Sequence, residues 1–420
     1  MSDEEDEPPL LHAFMGYGIE LEYMIVDRAR LSVLPLADVL LRESPGGEGN
    51  EVRRGRMGWS NELVMHVIEI KNLRPSVSLS MLPDVFQAEV REINRLLEPR
   101  GARLMPGAMH PWMDPRSETQ LWPHDNEDIY RAYDRIFDSK SHGWANLQSM
   151  HVNLPFAGDD EFARLHAAVR LVLPILPALA ASSPIADGKP TGFADYRMHV
   201  YSSNADAIPS IAGMIVPETV TSKRAYEQRI LAPMYKDIAP YDTDGVLKHE
   251  WLNSRGAIAR FERNAIEIRV LDTQECPRAD LAIAAVTVDA IRRLYRAGGP
   301  DLAEQQEMST AALAAILQAC IRDAEQTVID NPAYLRLFAY PGHRCTTGEL
   351  WDHLVGLMLA EDVSHAELSR VPLQAILQHG PLARRIVRAL GTGAARKARA
   401  IRDVYEQLCD CLQEGKMFLP

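Results

Sequence analysis

Long apolar runs are missing from this 420-residue chain, and none approaches the roughly 18 residues a membrane-spanning helix requires. No membrane partner is expected. Neither common nucleotide-binding fingerprint is present, because no G-x-x-x-x-G-K-S/T or G-x-G-x-x-G segment opens a helix after a strand. Cysteine is scarce: Cys276, Cys320, Cys345, Cys409 and Cys411 are far apart except for the last pair, whose C-x-C spacing matches no zinc or redox motif. Thiols scattered in this way read as reduced and cytosolic. Positive charge is in deficit, with 45 Lys and Arg against 58 Asp and Glu, a net −13 that argues against nucleic acid or an anionic membrane as a general partner. A local basic pocket for a phosphorylated ligand stays open. The start, MSDEEDEPP, is the opposite of a basic and then apolar secretion signal, so the cytoplasm is the expected location.

The composition that remains, 46% hydrophobic and 25% charged, is that of a folded globular protein of one large or several smaller domains. Its most informative stretch is GYGIELEYMIVD, residues 16–27. Read with the strand period of two, Ile19, Leu21, Tyr23 and Ile25 share one face, while Glu20, Glu22, Met24 and Val26 share the other. NAIEIRVLD at 264–272 repeats the arrangement, with Ile266, Ile268 and Val270 opposite Glu267 and Arg269. In SMHVNLPF (149–156), His151 and Asn153 share a face. NELVMHVIEIK (61–71) reads as a further strand with Glu69 and Lys71 together. Glu62 has the wrong parity to join them and can do so only through a bulge or from the loop before the strand.

Elsewhere, SPGGEGNEVRRGRMG (44–58) reads as a surface loop, either a plain hairpin connection or a lid. Helical spacing covers 78–101, 126–137, 159–181 with breaks at Pro174 and Pro177, and 278–297. Residues 103–112 form a short strand leading to a loop that carries His110. Residues 181–204 read as loop and then extended chain, and 209–240 as irregular. The expected organisation is a disordered acidic N-terminus (1–12), a mixed strand and helix domain (13–300), and a helical part (301–420) that either packs on that domain or forms the contact of a homodimer.

If the strands are neighbours, Glu20, Glu22, Glu69, His151, Glu267 and Arg269 crowd one surface, with Glu62 nearby. Two negative charges about 4 Å apart repel by about 4 kcal/mol at an effective dielectric of 20, so cations must sit among them. Arg269 and Lys71 supply part of the charge. Carboxylates with one imidazole also suit Mg²⁺ or Mn²⁺, and a divalent cluster facing an arginine is equipment for holding a polyphosphate. Each pair has an ordinary reading as a solvated strand face, and a lone His151 is more often a partly buried histidine than a ligand.

The order of these motifs resembles the glutamate-cysteine ligase and carboxylate-amine ligase family of the glutamine synthetase-like superfamily. The resemblance covers about residues 15–300 and includes PGAMHPW and SSPIADGKPTGFADYR. It implies an α+β fold: a curved, mainly antiparallel sheet forming a funnel-like active site, with helices packed outside. It further implies Glu20, Glu22, Glu62, Glu69, His151 and Glu267 as metal ligands, Arg269 and Lys71 on the phosphates of ATP, Arg269 and Glu267 in catalysis, and Arg197 and His110 near the substrate. The implied chemistry joins a small carboxylate, glutamate first, to an amine such as cysteine through an acyl phosphate. The superfamily also holds guanidino kinases, so a phosphotransferase is the alternative, with a non-catalytic ligand-binding relative as the third reading.

Overall fold

A computed structural model describes residues 10–361, 363–391 and 398–420. Most of the stretch expected to be disordered, residues 1–9, lies outside the described residues. Among the described residues nine strands make one sheet: β1 Gly18–Asp27, β2 Gly47–Glu48, β3 Glu51–Arg54, β4 Met57–Asn61, β5 Val67–Asn72, β6 Ala102–Met105, β7 Ser149–Pro155, β8 Ala257–Arg260 and β9 Ala265–Asp272. Their order is β8-β9-β7-β1-β5-β4-β3-β2, and every pairing is antiparallel. β1 is the hinge of the arrangement. One of its edges pairs with β5, while the other pairs first with β7 over residues 18–21 and then with β6 over 24–27.

The two faces of β1 meet different surroundings, as its alternation demands. Ile19, Leu21, Tyr23 and Ile25 enter the main core with Phe86, Val90 and Ile93 of helix α1 (Pro83–Leu97). Leu165, Val169 and Val172 of a later helix, Gly158–Val172, join them, as do Ile283, Val286 and Ile291 of Pro277–Arg296. Each such side chain contributes about 1.5–3 kcal/mol on burial. On the opposite face, Glu20 and Glu22 meet a cavity. Met24 and Val26, further along the same face, are covered by Leu382 and Ile386 of the helix Leu382–Ala389 and by Ile401, Tyr405 and Leu408 of the helix Ala398–Glu414. The C-terminal helices thus close one end of the polar face and leave the carboxylate end open.

Several local expectations change. The glycine- and charge-rich 44–58 segment is hairpin rather than loop, contributing β2, β3 and the start of β4. Its strands are two to five residues long, too short for alternation to register. The 61–71 strand is two strands, β4 ending at Asn61 and β5 beginning at Val67. Residues 223–238 are helical, with Ser222 capping the N-terminus by accepting from Ala225 N and a π-turn over Glu227–Leu231 before Pro233. Arg197 sits on a helix, Tyr196–Tyr201, capped by Asp195, and not on extended chain. The proline breaks are where expected: a 3₁₀ turn over Leu173–Ile175 follows Gly158–Val172, and a new turn begins at Pro177. Gly101, in the left-handed region at φ 65°, ends the helical run that starts with α1.

Candidate active site

Register places the charged side chains. Glu20 faces Lys71 on one side and His151 on the other, and Glu22 faces Glu69. Glu267 lies opposite Asn153, two residues from His151 on the same face. Glu62 reaches the same place from the loop between β4 and β5, the second of the two routes its parity allows. All of these except Asn153 line one cavity of about 490 Å³, together with Arg197, Arg260, Arg263 and Arg269.

The groups form a bonded network. His151 Nδ1 donates to Glu20 Oε2 at 2.9 Å, and its Nε2 donates to Ser149 Oγ, also at 2.9 Å. Ser149 passes this on, since its backbone N and its hydroxyl donate to Glu22 Oε2 at 2.7 and 3.1 Å. Asn153 Nδ2 donates to the other oxygen of Glu20 at 3.2 Å. Lys71 Nζ donates to Ser60 Oγ at 2.8 Å and to Glu69 Oε1 at 3.1 Å. Glu267 is held by two arginines, Arg269 Nε at 2.8 Å from Oε1 and Arg260 Nη1 at 3.2 Å from Oε2.

The electrostatics follow from burial and these neighbours. Burial pushes the Glu62 carboxyl well above its ordinary value, and the charges of Glu22 and Glu69 push it further. Glu22 is raised for the same first reason. Burial also acts upward on Glu20 and Glu267, but it is outweighed by His151 for Glu20 and by Arg269, His151 and Arg260 for Glu267, so both carboxyls fall below the usual range. Burial alone would lower His151. The hydrogen bond to Glu20 and the charges of Glu22, Glu20 and Glu267 instead raise it to about 9.

Two overlapping donor sets have the composition of a metal centre. Glu22, Glu62 and Glu69 each offer an oxygen within 4.8 Å of the others, and Glu20 and Glu69 oxygens and a His151 ring nitrogen lie equally close to one another. Oxygen donors with a single imidazole suit a hard divalent cation, so the residues fit Mg²⁺ or Mn²⁺. Burial shifts Glu22 and Glu62 toward their neutral forms, and the charge of such a cation would oppose that shift. Glu267 stands at the edge of these sets, 4.0 Å from His151 Nδ1, with both oxygens engaged by arginines.

Not every expected residue arrives. His110 is absent from the cavity lining; its ring is fully buried, with Nε2 donating to Leu31 O at 2.7 Å and Nδ1 accepting from Met113 N at 2.9 Å. A neutral imidazole is the consequence, its pKa pushed down to about 3 by burial. His110 therefore pins the 110–113 turn rather than a substrate. Conversely, Arg260, Arg263 and an aromatic wall of Tyr130, Tyr133, Trp144, Tyr201 and Trp251 line the cavity without having been anticipated. Arg260 was within reach of parity, because Ile258 pairs with Glu267 and residue 260 shares that face. The wall comes mostly from short helices outside the motifs, with Tyr201 at the end of the helix that carries Arg197.

Comparison with known proteins agrees with this geometry. The model of the family "Glutamate-cysteine ligase family 2" matches residues 17–406. An uncharacterized protein of Archaeoglobus fulgidus is 37% identical over 280 residues, 67% of this chain and 74% of that protein. A Bradyrhizobium sp. strain ORS 278 protein, provisionally named glutamate-cysteine ligase 2, is 25% identical over 69% of this chain and 64% of its own length. Among solved structures, glutamate-cysteine ligase of Francisella tularensis in complex with AMP superposes with a TM-score of 0.60 at 14% identity, covering 94% of this chain and 88% of that one. A bifunctional glutathione synthetase of Pasteurella multocida gives 0.59 at 14% identity, over 94% of this chain and 53% of that one. At that identity the structures speak for a shared fold, and the matched family model for descent. The chain belongs to glutamate-cysteine ligase family 2, and with it to the ligase class of enzymes.

Proposed function

We propose that the protein is an ATP-dependent carboxylate-amine ligase that forms an amide, of γ-glutamyl type, through an acyl phosphate. The observation that carries this reading is the convergence of Glu20, Glu22, Glu62, Glu69, His151 and Glu267 with Arg269, Lys71 and Arg197 on one cavity. A free carboxylate is a poor electrophile. Transfer of the γ-phosphoryl group of ATP to one of its oxygens, with ADP leaving, makes it a good one. The amine then attacks the carbonyl carbon, the C–O bond to phosphate breaks, and inorganic phosphate leaves as the amide forms.

The chain's residues act by position and charge, and no side-chain nucleophile is needed. Arg269, fixed by Glu267, presents donors to the transferring phosphate, where charge grows in the transition state. Lys71 adds a second cation across the cavity from β5. Arg197 offers its guanidinium to a carboxylate of the acid substrate. A divalent cation, when bound, neutralises phosphate charge; Glu22, Glu62 and Glu69 would hold one, and Glu20 and His151, with Glu69 or Glu267, a second. The acid is glutamate on the family's pattern, the amine cysteine or another small amino compound, and the compartment the cytoplasm. All five cysteines are free thiols, in keeping with the last. ATP consumption that requires a carboxylate and Mg²⁺ or Mn²⁺ together tests the proposal, and turnover independent of both removes it.

A further inference from the structure

Strand parity fails at Asp272, and the failure puts a carboxylate beneath the cavity. Counted by twos from Glu267, Asp272 belongs with Ile266 and Ile268 on the core face. Between Ile268, which faces Val152, and Leu271, which faces Met150, β9 carries one residue more than β7. Such a bulge turns the rest of the strand over. Asp272 therefore pairs with Ser149 and shares its face.

There Asp272 is fully buried and surrounded by donors. Ser182 N reaches Oδ2 at 2.8 Å, Ser183 Oγ reaches the same oxygen at 2.9 Å, and Arg197 Nε donates to Oδ1. Ser183 works twice, because its hydroxyl oxygen also accepts from Arg197 N at 3.0 Å. Both Nη groups of Arg197 lie 3.4 Å from Arg269 O, a long contact that leaves their remaining N–H bonds free to face the cavity Arg197 lines. Asp195, equally buried, lies beside this pair, and burial and Asp272 push its carboxyl well above the ordinary range. Arg197 is thus clamped by Asp272 and Ser183 before any ligand arrives. A guanidinium held this way forms bidentate bonds without first losing its own rotamer freedom.

We propose that Asp272, turned over by the β9 bulge and seated by Ser182 and Ser183, is a positioning residue that aims Arg197 at the carboxylate of the acid substrate. The inference rests on the ligase reading, with substrate affinity as its own separate readout.

The test is hydroxamate formation from glutamate, ATP and hydroxylamine with Mg²⁺, comparing full-length wild type with Asp272→Asn, Ser183→Ala, Arg197→Lys and the Arg197→Lys/Asp272→Asn double variant. Asp272→Asn is expected to raise KM for glutamate at least tenfold while KM for ATP stays within twofold. Ser183→Ala moves the same constant in the same direction by a smaller factor, and it carries the test alone if Asp272→Asn does not fold. The double variant should be no worse than Arg197→Lys by more than twofold, because Asp272 acts through that arginine. An unchanged KM for glutamate, an equal rise in both KM values, or additive losses in the double variant overturns the inference while leaving the ligase reading intact. Wild-type protein that makes no hydroxamate removes both.

Discussion

Replacing Glu62 by glutamine separates a metal centre from a chance gathering of acids. Glu22, Glu62 and Glu69 bring oxygens within 4.8 Å of one another. At that spacing and an effective dielectric of 20, each ionised pair repels by about 3.5 kcal/mol. Three full charges together would oppose folding by about 10 kcal/mol, comparable with the whole stability of a typical domain. Burial and the charges of Glu22 and Glu69 push the Glu62 carboxyl well above the ordinary range, which favours bound protons in the metal-free protein. Metal binding must expel those protons. Mg²⁺ or Mn²⁺ at 100 times its Kd should stabilise the fold by about 2.7 kcal/mol. With about 2.1 cal/mol/K of unfolding entropy per residue over 420 residues, that corresponds to a rise in Tm of about 3 °C. Calorimetric titration in two buffers of different ionisation enthalpy reads the released protons. Metal-free Glu62→Gln, whose amide reproduces the neutral carboxyl, should melt within about 1 °C of wild type yet lose most of the metal-dependent rise and proton release. A variant that keeps the full rise, or that melts several degrees lower without metal, refutes the reasoning.

Glu267→Gln and Arg269→Lys should each leave a normally folded protein with ATP turnover reduced at least about 100-fold, because the fixed donor facing the phosphate is lost; ADP release against circular dichroism checks this. Three buried histidines, His66 at about 4 and His110 and His166 at about 3, are neutral in the fold. Their folded values lie below the unfolded value near 6.5, so their stability is fully present above pH 6.5 and is lost as pH falls toward the folded values. Between pH 6.5, where the unfolded imidazole is half protonated, and pH 5.5 the contribution of these three histidines, read by urea unfolding, should fall by about 3 kcal/mol, roughly 1 per histidine. The fully buried Arg385–Glu275 pair, with Arg385 Nη1 also donating to Phe418 O at 2.8 Å, joins the helix Leu382–Ala389 to the end of the sheet and the chain terminus. Glu275→Gln should therefore cost about 3–5 kcal/mol, and the Glu275→Met/Arg385→Met double variant much less, by denaturant midpoints.

What could be read in the sequence was set by period. β1, β5, β7 and β9 alternate long enough for Glu20, Glu22, Glu69, Lys71, His151, Glu267 and Arg269 to declare a common face, and the pairings bring those faces together. Period says nothing of pairing partners, so the cavity's aromatic wall, built from Glu127–Phe137 and short helices distant in sequence, left no trace. It also misleads wherever the count slips. The bulge in β9 moved Asp272 to the polar face, and Glu62 joined the cluster only because the chain leaves β4 before reaching it. His110 shows a different limit. A histidine in a family-like segment looks like a substrate contact until its two ring nitrogens are found bonded to the backbone. The 223–238 helix was hidden by Pro233 and by a π-turn that breaks the 3.6 spacing.

The most direct test of the central claim is to incubate the protein with ATP, Mg²⁺, hydroxylamine and a pooled set of amino acids and other small carboxylates, reading ADP and hydroxamates by mass spectrometry. A carboxylate-amine ligase should give ADP together with one dominant hydroxamate, that of the glutamate γ-carboxyl, and lose both in Glu267→Gln. Folded, metal-loaded protein that yields neither ADP nor hydroxamate contradicts that claim, as does ADP whose formation no carboxylate stimulates.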